Sequence, residues 1–129
     1  MQRKEICKKY LEALNQGNLD NVLALFEEEA IVHSPLYGKM SATRFYTDLF
    51  ADTNKSDTRL LNIFSSDNRD DVVALHFHYS WTLKSGKLVE FECVDVIEIN
   101  PQTHQIMTLK IIYDTALLRD DFNDNKSMR

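Results

Sequence analysis

The stretch Asp71–Ile99, DVVALHFHYSWTLKSGKLVEFECVDVIEI, decides the fold. Val73, Leu75, Phe77, Tyr79, Trp81 and Leu83 alternate with Val72, Ala74, His76, His78 and Ser80, the period of two that belongs to an extended strand. Lys84-Ser85-Gly86-Lys87 then turns the chain back into a second strand, Leu88 to Ile99. Here Val89, Phe91, Cys93, Asp95, Ile97 and Ile99 share one face, and Glu90, Glu92, Val94, Val96 and Glu98 the other. The apolar face is interrupted by a single acid, Asp95. A carboxylate placed there loses solvation, so it must find a partner, sit at a rim, or keep its proton as an acid of raised pKa. Acids perturbed in that way are candidates for function.

Outward from this hairpin, the segment before it is mainly helical. Ile6, Cys7, Tyr10, Leu11 and Leu14 make one stripe of a first helix that stops at Gly17. Leu19, Val22, Leu23 and Phe26 make a second stripe, entered through Asn18 as N-cap. Ala30 to His33 reads as a short extended piece ended by Pro35 and Gly38, and Ser41 caps a third helix that turns Phe45, Leu49 and Phe50 inward. Thr58 to Ser65 reads as a strand leading through a turn-rich segment into the Asp71 strand, and a last strand spans Gln105 to Tyr113. The polar tail from Arg119 to Arg129 is expected to fray, with Leu117, Leu118 and Phe122 able to dock part of it. The fold class that follows is α+β: three N-terminal helices packed on a curved, mostly antiparallel sheet.

The 129 residues make one domain, and 20 acids against 15 bases, for a formal charge of −5, argue against a nucleic-acid footprint or a polybasic membrane-surface patch. No apolar run has the length of a membrane span, and the charged N-terminal segment is unlike a secretory signal, so a cytoplasmic location is expected. Cys7 and Cys93 are far apart without metal-ligand spacing and read as reduced core residues. His76 and His78 point the same way from one strand, but no third ligand follows at suitable spacing, so no metal or other cofactor is expected. They share the outer sheet face with Val72, Ala74, Val94 and Val96, a face too apolar to be left in water, which points to a homodimer through it.

Tyr10-Leu11-Glu12-Ala13-Leu14-Asn15-Gln16-Gly17-Asn18-Leu19-Asp20, then Leu23-Ala24-Leu25-Phe26, then Ala30-Ile31-Val32-His33-Ser34-Pro35-Leu36-Tyr37-Gly38, together resemble the N-terminal half of ketosteroid isomerases and SnoaL-type polyketide cyclases. These share the nuclear transport factor two-like cone. The resemblance extends through Phe45-Tyr46 and the strand order to about residue 114 and implies a cone-shaped pocket. It places Tyr10 at the oxyanion-hole tyrosine and Asp95 at the protonated oxyanion-hole acid, which in those isomerases an apolar site keeps neutral. Where the isomerases carry their general base, this sequence has Ser34, which cannot take a proton from carbon without a base beside it. His33 is turned away by strand parity, and Asp114, just past the last strand, can either enter the pocket mouth or cap the sheet edge.

Three readings remain open on the sequence. The first is an enzyme that moves a proton on a small, mostly apolar carbonyl compound, in an isomerisation or cyclisation with Tyr10 and Asp95 stabilising the enolate-like oxygen. The second is a non-catalytic binder of an aromatic ligand in a pocket lined by Phe77, Tyr79, Trp81, Phe91, Leu109, Ile111 and Tyr113. The third is a dimeric association module whose pocket is vestigial. A carboxyl other than Asp95 near Ser34 would favour the first, and a closed cavity the third.

Overall fold

The alternating hairpin forms as two twelve-residue strands, β4 (Val72–Leu83) and β5 (Leu88–Ile99), in a computed structural model that describes residues 2–127. Leu75 lies opposite Asp95 and Phe77 opposite Cys93, so both apolar faces point to the same side. Before the hairpin come α1 (Arg3–Gln16), α2 (Leu19–Leu23), β1 (Phe26–Ser34), β2 (Gly38–Ser41), α3 (Ala42–Ala51) and β3 (Thr53–Ser65), and after it β6 (Ile106–Ile112) and α4 (Arg119–Lys126). The strands make one curved sheet in the order β2-β1-β6-β5-β4-β3, antiparallel except for the parallel pair β1 and β6. The architecture is the α+β one expected, with helices on the apolar side of the sheet.

Local chemistry sets the helix ends. Gly17 takes φ 63°, and its N–H and that of Asn18 return to the carbonyls of Leu14 and Ala13, closing α1. Asn18 caps α2 by accepting from the Asn21 N–H at 3.0 Å, and Ser41 caps α3 by accepting from Arg44 at 3.2 Å. The core stripe of α1, from Ile6 through Tyr10 to Leu14, is buried against the sheet, each apolar side chain contributing about 1.5 to 3 kcal/mol of transfer free energy. Among the described residues, no helix is long and apolar enough to cross a membrane.

Four expectations need correction. Phe26 is not on the second helix: α2 ends at Leu23, and Phe26 opens β1 opposite Ile106, its ring between those of Tyr10 and Tyr46 at 6.2 and 5.2 Å. The run Glu27-Glu28-Glu29 has no strand signal of its own and lies in the irregularity between the Phe26–Ile106 and Ile31–Thr108 pairs, so the β6 pairs on either side set its extended course. β3 begins at Thr53 rather than Thr58; its polar start is held by tertiary bonds, Trp81 Nε1 donating to Thr53 Oγ1 at 2.8 Å and Ser56 Oγ meeting Tyr79 Oη at 2.7 Å. β6 runs from Ile106 to Ile112, one residue inside the expected span at each end, and a register shift opposite Glu98 and Ile99 lets both Ile106 and Leu109 reach the core. The tail is not frayed over Arg119–Lys126, where α4 buries Phe122 and Asn125 behind Leu118. The spacing of 118, 122 and 125 is a helical stripe, short but specific. Leu117, expected to help dock this segment, is 89% exposed.

Candidate functional site

Between the helices and the apolar face of the sheet lies a cavity of about 40 Å³. α1 supplies Tyr10 and Leu14, the β1 end supplies Ser34 and Tyr37, α3 supplies Phe45 and Leu49, and the sheet supplies Phe77, Tyr79, Trp81, Phe91, Cys93, Asp95, Ile111 and Tyr113. That volume admits a few water molecules, against the roughly 300 to 1,000 Å³ typical of ligand pockets. The rings close it on themselves: Phe91 stacks on Tyr113 at 4.4 Å and on Tyr79 at 5.3 Å, and Tyr37 packs edge-on against Phe45 at 5.4 Å. Six of the seven expected lining residues are in place. Leu109 is not, because it is fully buried in the core beneath the cavity.

Asp95 is fully buried on the middle of β5. Its Oδ1 accepts from the Cys93 thiol at 3.2 Å, and its Oδ2 has no hydrogen-bond partner among the described residues. Loss of solvation, only partly offset by the thiol, raises its pKa from 3.8 to about 7. The opposite partner suffers as well: burial and the nearby Asp95 push the Cys93 thiol far up, and Cys7 to about 11. Tyr10 does not spend its hydroxyl on Asp95 but meets the Tyr46 hydroxyl at 2.7 Å. Burial raises both tyrosines well above their ordinary value, so both remain neutral donors. Either hydroxyl can donate in that pair; in the arrangement where Tyr46 donates, the Tyr10 proton is available to a cavity occupant, and a protonated Asp95 offers a second one. Tyr46 shares the inward stripe of α3 with Phe45 and Leu49; Phe50, expected to point inward, is only half-buried.

At the other end of the cavity, the Ser34 oxygen accepts from the backbone N–H groups of Leu36 and Tyr37 at 3.2 and 3.1 Å. This turn places Tyr37 on the cavity wall, and its hydroxyl donates to Oδ2 of Asp52, a second fully buried aspartate. The Asp52 carbonyl accepts from Lys84 N at 2.8 Å and from Asn125 Nδ2 at 3.1 Å, and Asn125 Oδ1 accepts from Ser85 N at 2.8 Å. Phe122 packs on Tyr37 at 4.9 Å. Asp52, Tyr37, Tyr46 and Asn125 were not visible as a group in the sequence, because they come from three separate segments, the Ser34 turn, α3 with its C-cap, and α4. The candidate acid Asp114 is elsewhere: it is exposed, caps its own loop by accepting from Ala116 N at 2.9 Å, and does not line the cavity. His33 lies on the strand face opposite to Ser34, and His104 sits in a turn with φ 61°.

On the outer sheet face, His76 Nδ1 accepts from Asn62 Nδ2 at 3.2 Å and its Nε2 donates to Glu92 at 2.8 Å, while His78 lies 3.8 Å from Glu90. Val72, Ala74, Val94 and Val96 are half-buried between them.

The family model of the SnoaL-like domain matches residues 7–106. No curated protein matches the sequence. Among solved structures, the Δ5-3-ketosteroid isomerase from Mycobacterium sp. is 12% identical with a TM-score of 0.72, over 87% of this chain and 92% of that one. PrhC from Penicillium brasilianum is 12% identical with a TM-score of 0.77, over 97% and 87%. AclR, a putative hydroxylase from Streptomyces galilaeus, is 14% identical with a TM-score of 0.74, over 95% and 96%. At these identities the likeness is one of fold, the cone of the nuclear transport factor two-like superfamily.

Proposed function

The chain belongs to the SnoaL-like domain family, and on that premise we propose that it binds a small, mostly apolar carbonyl or aromatic compound in the aromatic cavity and moves a proton on it, with Tyr10 and Asp95 as the oxyanion hole. The observation that carries this reading is the Asp95 carboxyl, fully buried on the cavity wall with one oxygen unpartnered among the described residues. An unmade hydrogen bond at that depth costs about 1 to 3 kcal/mol, a cost that a ligand oxygen relieves. Held neutral, the acid donates to charge that develops on that oxygen, as the Tyr10 hydroxyl does. Such a ligand needs the lining side chains to make more room than the cavity of about 40 Å³ offers.

The test uses 2-naphthol, whose oxygen resembles an enolate in charge and size. It should bind, and Tyr10→Phe and Asp95→Asn should each weaken it by about 1 to 3 kcal/mol, Asn less because its amide still donates. Carboxyl NMR should find Asp95 titrating near neutrality; a value near 3.9 would reduce Asp95 to an ordinary paired acid. The small volume of the cavity favours a second reading, a dimeric association module with a vestigial pocket, and absence of naphthol binding would select it. Either reading includes a homodimer through the outer face of β4 and β5, where Ala74→Glu or Val94→Glu should yield monomers by sedimentation; a wild-type protein monomeric at tens of micromolar, about the range where a weak interface still associates, would rule it out.

A further inference from the structure

The two oxygens of the Asp95 carboxyl are equal in the free side chain and unequal in the fold. Cys93 stands two residues before Asp95 on β5, so the pitch of the strand puts both side chains on one face, and both line the cavity. The Cys93 thiol donates to Oδ1 at 3.2 Å, and Oδ2 has no hydrogen-bond partner among the described residues. The other titratable groups that feel the acid are Cys7 and Tyr10 on α1, Tyr46 on α3, Tyr79 on β4 and Tyr113 just past β6. Burial holds each of them neutral, and their hydroxyls are turned to other partners where bonded: Tyr10 and Tyr46 meet each other, and Tyr79 meets Ser56. Among the described residues, Cys93 is therefore the group that tells the two oxygens apart.

We propose that Cys93 is the positioning residue of this acid: its thiol keeps Oδ1 as the accepting oxygen, so the carboxyl proton is carried on Oδ2, the oxygen left for a cavity occupant. The role toward an occupant rests on the oxyanion-hole reading above. A neutral carboxyl has one oxygen that donates and one that only accepts, and a thiol proton on Oδ1 makes that oxygen the acceptor. The reverse bond, an Asp95 hydroxyl donating to sulfur, spends the acid's proton on a weak acceptor and leaves the thiol proton buried without one. The residue type matters too. Donation to a carboxylate favours its charged form, and the thiol offsets only part of the burial that raises the acid to about 7. A hydroxyl at this position would mark the same oxygen but stabilise the anion more strongly, and the acid would lose its proton at lower pH. Cysteine fixes the place of the proton without drawing it off.

The experiment compares wild type, Cys93→Ala and Cys93→Ser by carboxyl NMR of Asp95 over a pH series, with 2-naphthol affinity measured at pH 5, below the titration of the acid in all three. The Asp95 pKa should rise by about half a unit or more in Cys93→Ala and fall by about as much in Cys93→Ser, the order of donor strength. A side chain that only fills space would give no such order. Naphthol affinity should drop about threefold in Cys93→Ala, where the proton is free to sit on either oxygen, and stay within about twofold in Cys93→Ser. In the wild type, the Cys93 S–H infrared stretch, identified by its loss in Cys93→Ala, should move to lower frequency as Asp95 ionises, because a carboxylate is the stronger acceptor. If Cys93→Ser fails to fold, this band and Cys93→Ala decide. An Asp95 pKa unchanged in Cys93→Ala, or an S–H band indifferent to pH, overturns the assignment. Naphthol affinity unchanged in Cys93→Ala does so as well. A wild type that binds no naphthol while the pKa order and the S–H shift hold sinks the oxyanion hole and upholds the place of the proton.

Discussion

Asp95 and Asp52 are both aspartates and both fully buried, Asp95 on the cavity wall and Asp52 behind Tyr37, yet they are wired in opposite ways. Asp95 stands on a central strand among apolar side chains with a weak thiol donor on one oxygen and nothing on the other among the described residues. Asp52 closes α3, receives the Tyr37 hydroxyl on its carboxylate and two more donors on its carbonyl, and is sealed by α4. Burial alone therefore does not determine what an acid does. The donors that surround it matter as well: with one weak thiol donor and no other among the described residues, Asp95 is held toward its protonated form.

The sharpest way to break this comparison is a pH series. Asp95 has a folded pKa of about 7 against an ordinary 3.8, so the folded state binds the extra proton between those values. Its contribution to stability is complete below about pH 4 and is lost as the pH rises through 7, an effect on the order of 4 kcal/mol for a shift of about three pKa units. Urea unfolding of wild type and Asp95→Asn at pH 5 and pH 9 should show the mutant gaining on the wild type at pH 9. Parallel profiles would mean that Asp95 is not desolvated as described. Next in size, Phe122→Ala should cost about 3 kcal/mol in urea unfolding, because the ring is buried between Tyr37 and Trp81. A loss under 1 kcal/mol would mean that α4 does not seal the Asp52 end. Asn125→Ala should cost about 2 kcal/mol, since it strips partners from Ser85 N and the Asp52 carbonyl. The smallest effect belongs to Ser34→Ala, about 1 kcal/mol in urea unfolding from two backbone N–H groups left to solvent; a loss above about 2 kcal/mol, twice that, would mean that the turn holds more of the cavity wall than these two bonds.

How much of this was legible differs between the two acids for a physical reason. Asp95 announces itself because β5 alternates cleanly over its whole length, and its predicted limits, Leu88 and Ile99, are those observed. A strand covered on one face has to alternate, so the exception stands out. Tyr10 was legible from the α1 stripe and the family resemblance. Asp52 lies at a helix end followed by the polar run Asn54-Lys55-Ser56-Asp57, which locally reads as loop. The ladder with β4 and the side chains of Trp81 and Tyr79, all far along the chain, hold that run in the sheet. Short β2 and the Phe26 end of β1 were hidden for the same reason, because their pairing partners rather than their own residues set their conformation.

The parallel pairing of β1 with β6 has a consequence for how the molecule is made. Val32 must find Leu109, so the strand that ends at the Ser34 turn has its inner neighbour only after nearly all of the chain has left the ribosome. Until then β1 has just the short β2 hairpin, while β3, β4 and β5 are joined by local turns and can zip early. Loop closure between distant segments is the slow entropic step of such a topology. The cavity, whose walls come from both halves, is therefore assembled last, and a nascent chain stalled before residue 106 would carry a formed β-meander with an open apolar face, the state most exposed to misassociation.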